Sequence, residues 1–259
     1  MHLGIGDRKA IVCASSQGLG KACAMALAEA GCEVVINGRN AATLYLTAQH
    51  IREHTGAKVV AVAADVGTEA GRAALVAACP DADILVNNNA GPPARNFREL
   101  DHAALTAGLD ANMIAPIRLI QALIDGMIRR RFGRIINITS GSVKAPLPGL
   151  DLSSGARAGL TAFMAGMARE VAAENVTINQ ILPGAFDTAR QHAIARGASA
   201  RMGKSFEEVW AARAAAIPAK RYGDPAEFGQ LCAFLASDHA GYITGQNVLI
   251  DGGVFPGAF

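Results

Sequence analysis

The chain has 259 residues, 51% of them hydrophobic and only 18% charged, which is enough apolar material for a large core and too little charge for a disordered chain. Its formal net charge of +2 comes from 24 basic and 22 acidic residues with no basic stripe, so nucleic-acid binding has no electrostatic footprint. The start, MHLGIGDRKAIVCASS, lacks a leader pattern, and no uninterrupted apolar run reaches the roughly 18 residues of a membrane span; the expectation is a cytoplasmic protein with no membrane or nucleic-acid partner.

In chain order, KAIVC (9–13) reads as the first strand. GLGKACAMALAEAG follows, with Leu19, Cys23, Leu27 and Ala30 on a helical stripe that Gly31 ends. Next come a strand EVVIN (33–37), a helix over 41–54, a strand VVAVA (59–63), a helix over 69–79 and a strand DILVN (83–87). A long helical pattern over 100–130 leads to RIINIT (134–139), a helix over 155–173 and VTINQIL (176–182). Residues 188–216 contain no strand; SFEE there matches a capping box with Ser205 as N-cap and Glu208 three residues on. A helix over 225–236 and a last strand, NVLID (247–251), close the pattern. Strands separated by helix-length connections imply an α/β fold, a Rossmann-like doubly wound parallel seven-stranded sheet flanked by helices. No linker or repeat divides 1–259, so a single domain is expected. The 188–216 excursion would lie outside the carboxyl ends of the strands, where ligands bind, and is either a substrate lid or a surface insertion.

The five cysteines, Cys13, Cys23, Cys32, Cys79 and Cys232, lack CxxC spacing and stand in apolar contexts, which predicts reduced core thiols. No metal-binding pattern is present: His50 and His54 are spaced for one helix face but have no third ligand. Between the first strand and its helix, Gly18 and Gly20 would let the backbone approach a pyrophosphate at a helix N-terminus. The second strand ends in INGRN, with Arg39 where a ribose-binding carboxylate would otherwise stand. Arg39 suits a 2′-phosphate, and hence NADP(H) rather than NAD(H); the competing reading is a solvated loop arginine.

Taken together these residues resemble the short-chain dehydrogenase/reductase family along nearly the whole chain. CASSQGLG (13–20) is similar to the family's TGxxxGxG, with Cys13 and Ala14 in its first two places. The resemblance makes Ala14, Ser16, Gly18, Leu19 and Gly20 cofactor contacts, with Asp65 and Val66 against adenine. NNAG, ending in Asn89, Ala90 and Gly91, would line the cofactor cleft, and PGAFDT would bring Pro183, Gly184, Phe186 and Thr188 to the nicotinamide. The family's helix asparagine falls on Asn112, in LDANMIAP, and its active-site serine on Ser140, in IINITS. YITGQNVLIDGG (242–253) is close to its last strand.

The family's YxxxK pair is replaced. SSGAR (153–157) puts Ser153 at the tyrosine and Arg157 at the lysine, while ARAGLTAF keeps the surrounding register. This resembles a divergent β-ketoacyl-acyl-carrier-protein-reductase-like subgroup. Asn112, Ser140, Ser153 and Arg157 are therefore the candidate catalytic set. Arg157 could keep a ribose contact; Ser153 is a far weaker acid than a phenol, and a bridging water would have to reach the substrate. Lys144 is either a surrogate acid or a solvated loop lysine, and Asp151 is a candidate to replace some of the lost polarity; His192, Phe206 and Trp210 read as ordinary lid residues. Two functions remain: an NADP(H)-dependent oxidoreductase interconverting a small-molecule carbonyl and an alcohol, with a 3-oxoacyl thioester among the candidates, or a nucleotide-binding sensor or scaffold without turnover. Small residues along 155–173, Ala156, Gly159, Ala162 and Gly166 among them, would let that helix pair with 100–130 of another copy; the resemblance implies a homo-oligomer, a tetramer or dimer.

Overall fold

Seven parallel strands form one sheet in the order β3-β2-β1-β4-β5-β6-β7 in the computed structural model, which describes residues 2–258. They are β1 (Lys9–Val12), β2 (Glu33–Gly38), β3 (Val59–Ala63), β4 (Ile84–Asn87), β5 (Gly133–Ile138), β6 (Val176–Pro183) and β7 (Asn247–Ile250). The strands read as largely apolar runs because helices cover both faces of the sheet; every residue of β5, for example, is buried, Arg134 and Asn137 included. Alternation sends Val12, Ile36 and Val86 to one face and Ile11, Val35 and Leu85 to the other, which makes two cores. The first core packs α1 (Gly18–Glu29), α2 (Ala41–Thr55) and α9 (Pro225–Ala236); the second packs α3 (Glu69–Ala78), α5 (Ala115–Arg130) and α6 (Asp151–Val171). Strand order reverses between β1 and β4, which opens a crevice at their carboxyl ends.

The long helical pattern over 100–130 is not one α-helix. It consists of α4 (His102–Leu109), a π-helical turn (Asp110–Ile114) and α5. The wider turn keeps the apolar period nearly intact, so periodicity alone does not reveal it. The segment His102–Arg130 is long and apolar enough to cross a membrane by length and composition, but α5 spends Leu119, Ile120, Leu123 and Met127 on the second core. Helix α6 begins four residues before the predicted 155, because Gly155 lies inside the helix with open space around it. Ser153 consequently stands on the first turn of α6, one helical turn before Arg157.

The 188–216 segment forms α7 (Ala189–Met202) and α8 (Phe206–Ala216), and the Ser205–Glu208 capping box is present at the start of α8. Trp210 stacks on Tyr222 with ring centroids 3.8 Å apart and meets His192 edge-on at 4.5 Å, which anchors both helices to the body. All five cysteines are free and buried; burial pushes the Cys13 and Cys32 thiols up to about 12. Part of the small-residue stripe on α6 packs within the chain, with Gly159 against Met113, whereas Gly155 and Gly166 face open space.

Candidate active site

The turn after β1 is tied to two neighbouring strands. The Ala14 N–H donates to Asn37 Oδ1 at 3.2 Å, and the Ala14 carbonyl accepts from Asn88 Nδ2 at 3.1 Å. Buried Ser15 donates from Oγ to the Val12 carbonyl at 2.6 Å and accepts the Asn37 N–H at 2.9 Å. So anchored, Ala14 adopts φ +44°, in the left-handed region. A Cβ on Gly20 would strike the Ala14 carbonyl oxygen, so this position excludes any side chain. Gly18, at φ +58°, faces the Thr188 methyl, 3.8 Å from where its Cβ would stand. The N-cap of α1, Gln17, makes no side-chain cap, and the first turn holds no acidic residue, so its N–H groups are free for an anion. This cradle fits a dinucleotide pyrophosphate.

Around the turn, Ser16 lies beneath Gly38, 3.0 Å from where a Cβ would be, and its carbonyl accepts from Thr47 Oγ1 at 2.7 Å. Leu19 packs on the first core, and Arg39 is exposed just past β2. Asp65, beyond β3, is exposed and accepts the Gly67 N–H at 2.9 Å. Val66 is buried in the second core. Asn89 donates from Nδ2 to the Ala111 carbonyl at 3.1 Å and accepts the Ala90 N–H at 2.9 Å, which couples the loop after β4 to the π turn. Gly184 bonds back to the Ile250 carbonyl at 2.9 Å, placing Pro183 and Gly184 at the end of β6. The Phe186 side chain does not face the cleft: it is buried edge-on against Phe228 at 5.4 Å, so only its backbone could meet a cofactor.

The candidate catalytic residues approach the crevice from three elements. Asn112, in the π turn, is buried; its Oδ1 has no hydrogen-bond partner. Ser140, after β5, accepts from the Ser142 N–H at 3.1 Å and the Ser142 hydroxyl at 2.9 Å, which leaves its own hydroxyl proton to donate. Ser153 is buried and accepts from Arg157 Nε at 3.4 Å. Arg157 departs from the expected ribose ligand. Its Nη1 donates to the Ile138 carbonyl at 2.7 Å and its Nη2 to the Asn89 carbonyl at 3.3 Å, clamping the ends of β5 and the β4 loop together. Burial, and then repulsion from Arg190, lower its pKa to about 10, so it stays charged at neutral pH. A cavity of about 440 Å³ lies alongside, walled by Ala90, Pro92, Ala107, Asn112 and Leu152.

Other candidates point elsewhere. Lys144 Nζ lies 5.4 Å from the centroid of the Phe255 ring, the His50 and His54 rings lie 4.0 Å apart, tilted by 47°, and Asp151 is exposed. His192 bonds Asp187 at 2.6 Å. Two features escaped sequence reasoning. Asn87, Asn137 and Gln180 align across β4, β5 and β6 as a buried polar row, with Asn87 Nδ2 donating to Asn137 Oδ1 at 2.9 Å. Arg190, an exposed residue on the first turn of α7, brings its guanidinium to the side of Gly91 on which Ser153 Oγ also lies. A cation at a helix N-terminus opposes the helix dipole, and that was the available signal.

A family model described as "Enoyl-(Acyl carrier protein) reductase" matches residues 13–255. The NADPH-dependent reductase BacG of Bacillus subtilis is 33% identical over 251 residues, covering 95% of this chain and 97% of that one. The 3-oxoacyl-[acyl-carrier-protein] reductase FabG of Vibrio cholerae is 33% identical over 252 residues, with 95% and 96% covered. Among solved structures, L-sorbose reductase from Gluconobacter frateurii, complexed with NADPH and L-sorbose, superposes with a TM-score of 0.95 at 29% identity, over 99% of this chain and 100% of that one.

Proposed function

The chain belongs to the short-chain dehydrogenase/reductase family, and from that premise we propose that it is an NADPH-dependent oxidoreductase that reduces a carbonyl to an alcohol, with Ser153 and Arg157 in place of the family's tyrosine and lysine. One observation carries this reading: the pyrophosphate cradle after β1, the Asn89–Gly91 loop after β4 and Ser140 after β5 stand side by side at the strand ends, and Arg157 clamps the last two. Gly18, Gly20 and the N-terminus of α1 would hold the pyrophosphate, Arg39 the 2′-phosphate, and Asn89, Gly184 and Thr188 the nicotinamide half. The names of the relatives that specify NADPH support the same choice.

The chemistry NADPH supplies when bound is a hydride for the carbonyl carbon. Ser140, its oxygen already accepting two bonds, donates a hydrogen bond from its hydroxyl to the carbonyl oxygen, keeps its proton, and stabilises the charge that develops there. Asn112 lines the cavity, and its buried, unpartnered Oδ1 is the acceptor that would hold a water admitted beside it. That water, relayed past Ser153, supplies the proton that a phenol would otherwise give. Arg157 is a positioning residue that fixes the Asn89 loop against β5. The helices α7 and α8 act as a lid over the crevice, and the chain assembles as a homo-oligomer through α4–α6, where Leu105, Leu109, Ile114 and Phe163 are exposed.

The test is NADPH consumption by the purified protein across simple ketones, oxo acids and 3-oxoacyl thioesters, alongside calorimetric NADPH binding. Turnover of at least one class is expected. Tight binding without turnover across the panel would instead make the protein a nucleotide-binding sensor or scaffold, and no binding would overturn both readings.

A further inference from the structure

We infer that Asn37 is a positioning residue for the cofactor: through Ala14, its side-chain amide holds the turn after β1 in the shape that grips the dinucleotide. The inference rests on the cofactor reading above and needs no turnover. Asn37 is the fifth residue of β2, which runs between β1 and β3. Its side chain is buried and spends both polar atoms on segments that follow those two strands or end them. Oδ1 accepts the Ala14 N–H at 3.2 Å, and Nδ2 donates to the Val62 carbonyl at 3.1 Å and the Ala64 carbonyl at 2.9 Å. The backbone of the same residue accepts the Ser15 N–H at 2.7 Å and donates to Ser15 Oγ at 2.9 Å.

A primary amide is the chemistry this place requires. It accepts through oxygen and donates twice through nitrogen from one planar group. A carboxylate of the same shape would bring no proton to the two carbonyls, and an apolar side chain would leave all three backbone groups without this partner. Strand β1 ends at Val12, so Ala14 lies beyond it and is held to β2 by this amide and by the neighbouring Ser15 pair.

What hangs on the amide is the backbone of residue 14. Ala14 stands at φ +44°, a region that disfavours every residue with a Cβ, and its carbonyl oxygen occupies the place a Gly20 Cβ would take. Gly20 belongs to the first turn of α1, whose free N–H groups form the cradle. Released from Asn37, Ala14 relaxes toward the ordinary backbone regions and its carbonyl leaves Gly20, so binding has to rebuild the cradle. The other two bonds reach the end of β3, immediately before Asp65 and Val66, the expected adenine contacts. One amide therefore sets the spacing between the pyrophosphate cradle and the adenine side, on the strand that leads to Arg39.

The experiment measures calorimetric binding of NADPH, NADH and adenosine 2′,5′-bisphosphate to the parent, to Asn37→Ala, and to Asn37→Ala combined with Ala14→Gly. Asn37→Ala is expected to weaken all three ligands by about five- to thirtyfold, the fall in the population of the competent turn set by the cost of a left-handed alanine. NADPH and NADH should lose equally, because the 2′-phosphate contact at Arg39 is a separate one. Ala14→Gly should restore most of the loss, since glycine takes the left-handed backbone without an anchor. Where the protein turns over, the loss appears in KM for NADPH and not in kcat. An Asn37→Ala variant that unfolds earlier but binds like the parent overturns the inference, as does a loss confined to NADPH or one that Ala14→Gly leaves unrepaired. Should Asn37→Ala fail to fold, Asn37→Thr, which keeps one acceptor and one donor, takes its place; a smaller loss on the same ligands supports the inference, and parent-like affinity overturns it. A parent that binds none of the three ligands overturns the cofactor reading and this inference with it.

Discussion

Replacing Ala14 by glycine is expected to stabilise the protein. Ala14 holds φ +44°, and its N–H and carbonyl are bonded to Asn37 and Asn88, so the turn cannot relax without losing both bonds. A left-handed backbone costs an L-residue with a side chain about 1–2 kcal/mol. Glycine removes that cost but adds freedom to the unfolded chain, which takes back about 0.5–1 kcal/mol. The net gain is about 0.5–1 kcal/mol, and at this chain length it should raise Tm by about 1–4 °C. The assay is urea unfolding at a fixed protomer concentration, since an oligomer's stability depends on that concentration. Ala14→Val serves as the opposite perturbation and should lose stability, because a β-branched residue tolerates the left-handed region worse than alanine. NADPH binding should survive the glycine change, because the cradle is formed by Gly18 and Gly20. A glycine variant no more stable than the parent, at an unchanged m-value, would refute the idea that strain is stored in this turn.

Arg39→Ala should weaken NADPH binding at least about tenfold and leave NADH binding nearly unchanged, as loss of one charge-assisted phosphate contact requires; equal losses for both cofactors in calorimetry would assign Arg39 to the fold. Ser153→Tyr with Arg157→Lys should speed reduction of an uncharged activated ketone by up to about 10²–10⁴, the range of a general acid, and more than Ser153→Tyr alone. The same double variant should unfold earlier in urea, because an ammonium lacks the separate nitrogens with which Arg157 meets Ser153 and the Ile138 and Asn89 carbonyls; a folded, NADPH-binding variant with no gain in rate would end the proposal of a latent reductase frame. Stability should also fall above pH 9: native Cys13 keeps its proton to about 12 while the unfolded thiol releases it near 9.0, so the unfolded state binds fewer protons in that window. Cys13→Ala should flatten that decline by roughly 1 kcal/mol per pH unit, and an equal slope in parent and variant would rule the thiol out as its cause.

The strands were legible because a sheet covered on both faces makes each strand largely apolar, and all seven fall within a residue or two of the sequence reading. What depends on side-chain direction was not. Phe186 sits in a segment that resembles a cofactor contact, yet its ring turns away to Phe228. The π turn at Asn112 preserves the apolar spacing around it, so no pattern marks it, although the asparagine itself was found by its motif. Arg157 was found in the same way, but its two carbonyl partners lie 19 and 68 residues away in sequence and exist only once β5 and the β4 loop are side by side. Arg190 was missed because its meaning depends on where α7 crosses Gly91.

Gly91, Ser153, Arg157 and Arg190 behave as one steric and electrostatic unit. Lacking a Cβ, Gly91 lets the Ser153 hydroxyl and both terminal nitrogens of Arg190, which comes from α7, pack on the same side of its backbone. A phenol at 153 would have to share that space with the Arg190 fork, so the tyrosine and this arginine placement compete for it. The exchange at 157 follows the same logic. A flexible lysine beside Arg190 would put two mobile cations near one another, whereas the Arg157 guanidinium is fixed by three hydrogen bonds and turned toward backbone carbonyls. The gain from Ser153→Tyr and Arg157→Lys should accordingly be larger when Arg190→Ala is added, on an uncharged ketone. If the triple variant is no faster than the double, the phenol and the guanidinium do not compete, and these four residues are not one unit.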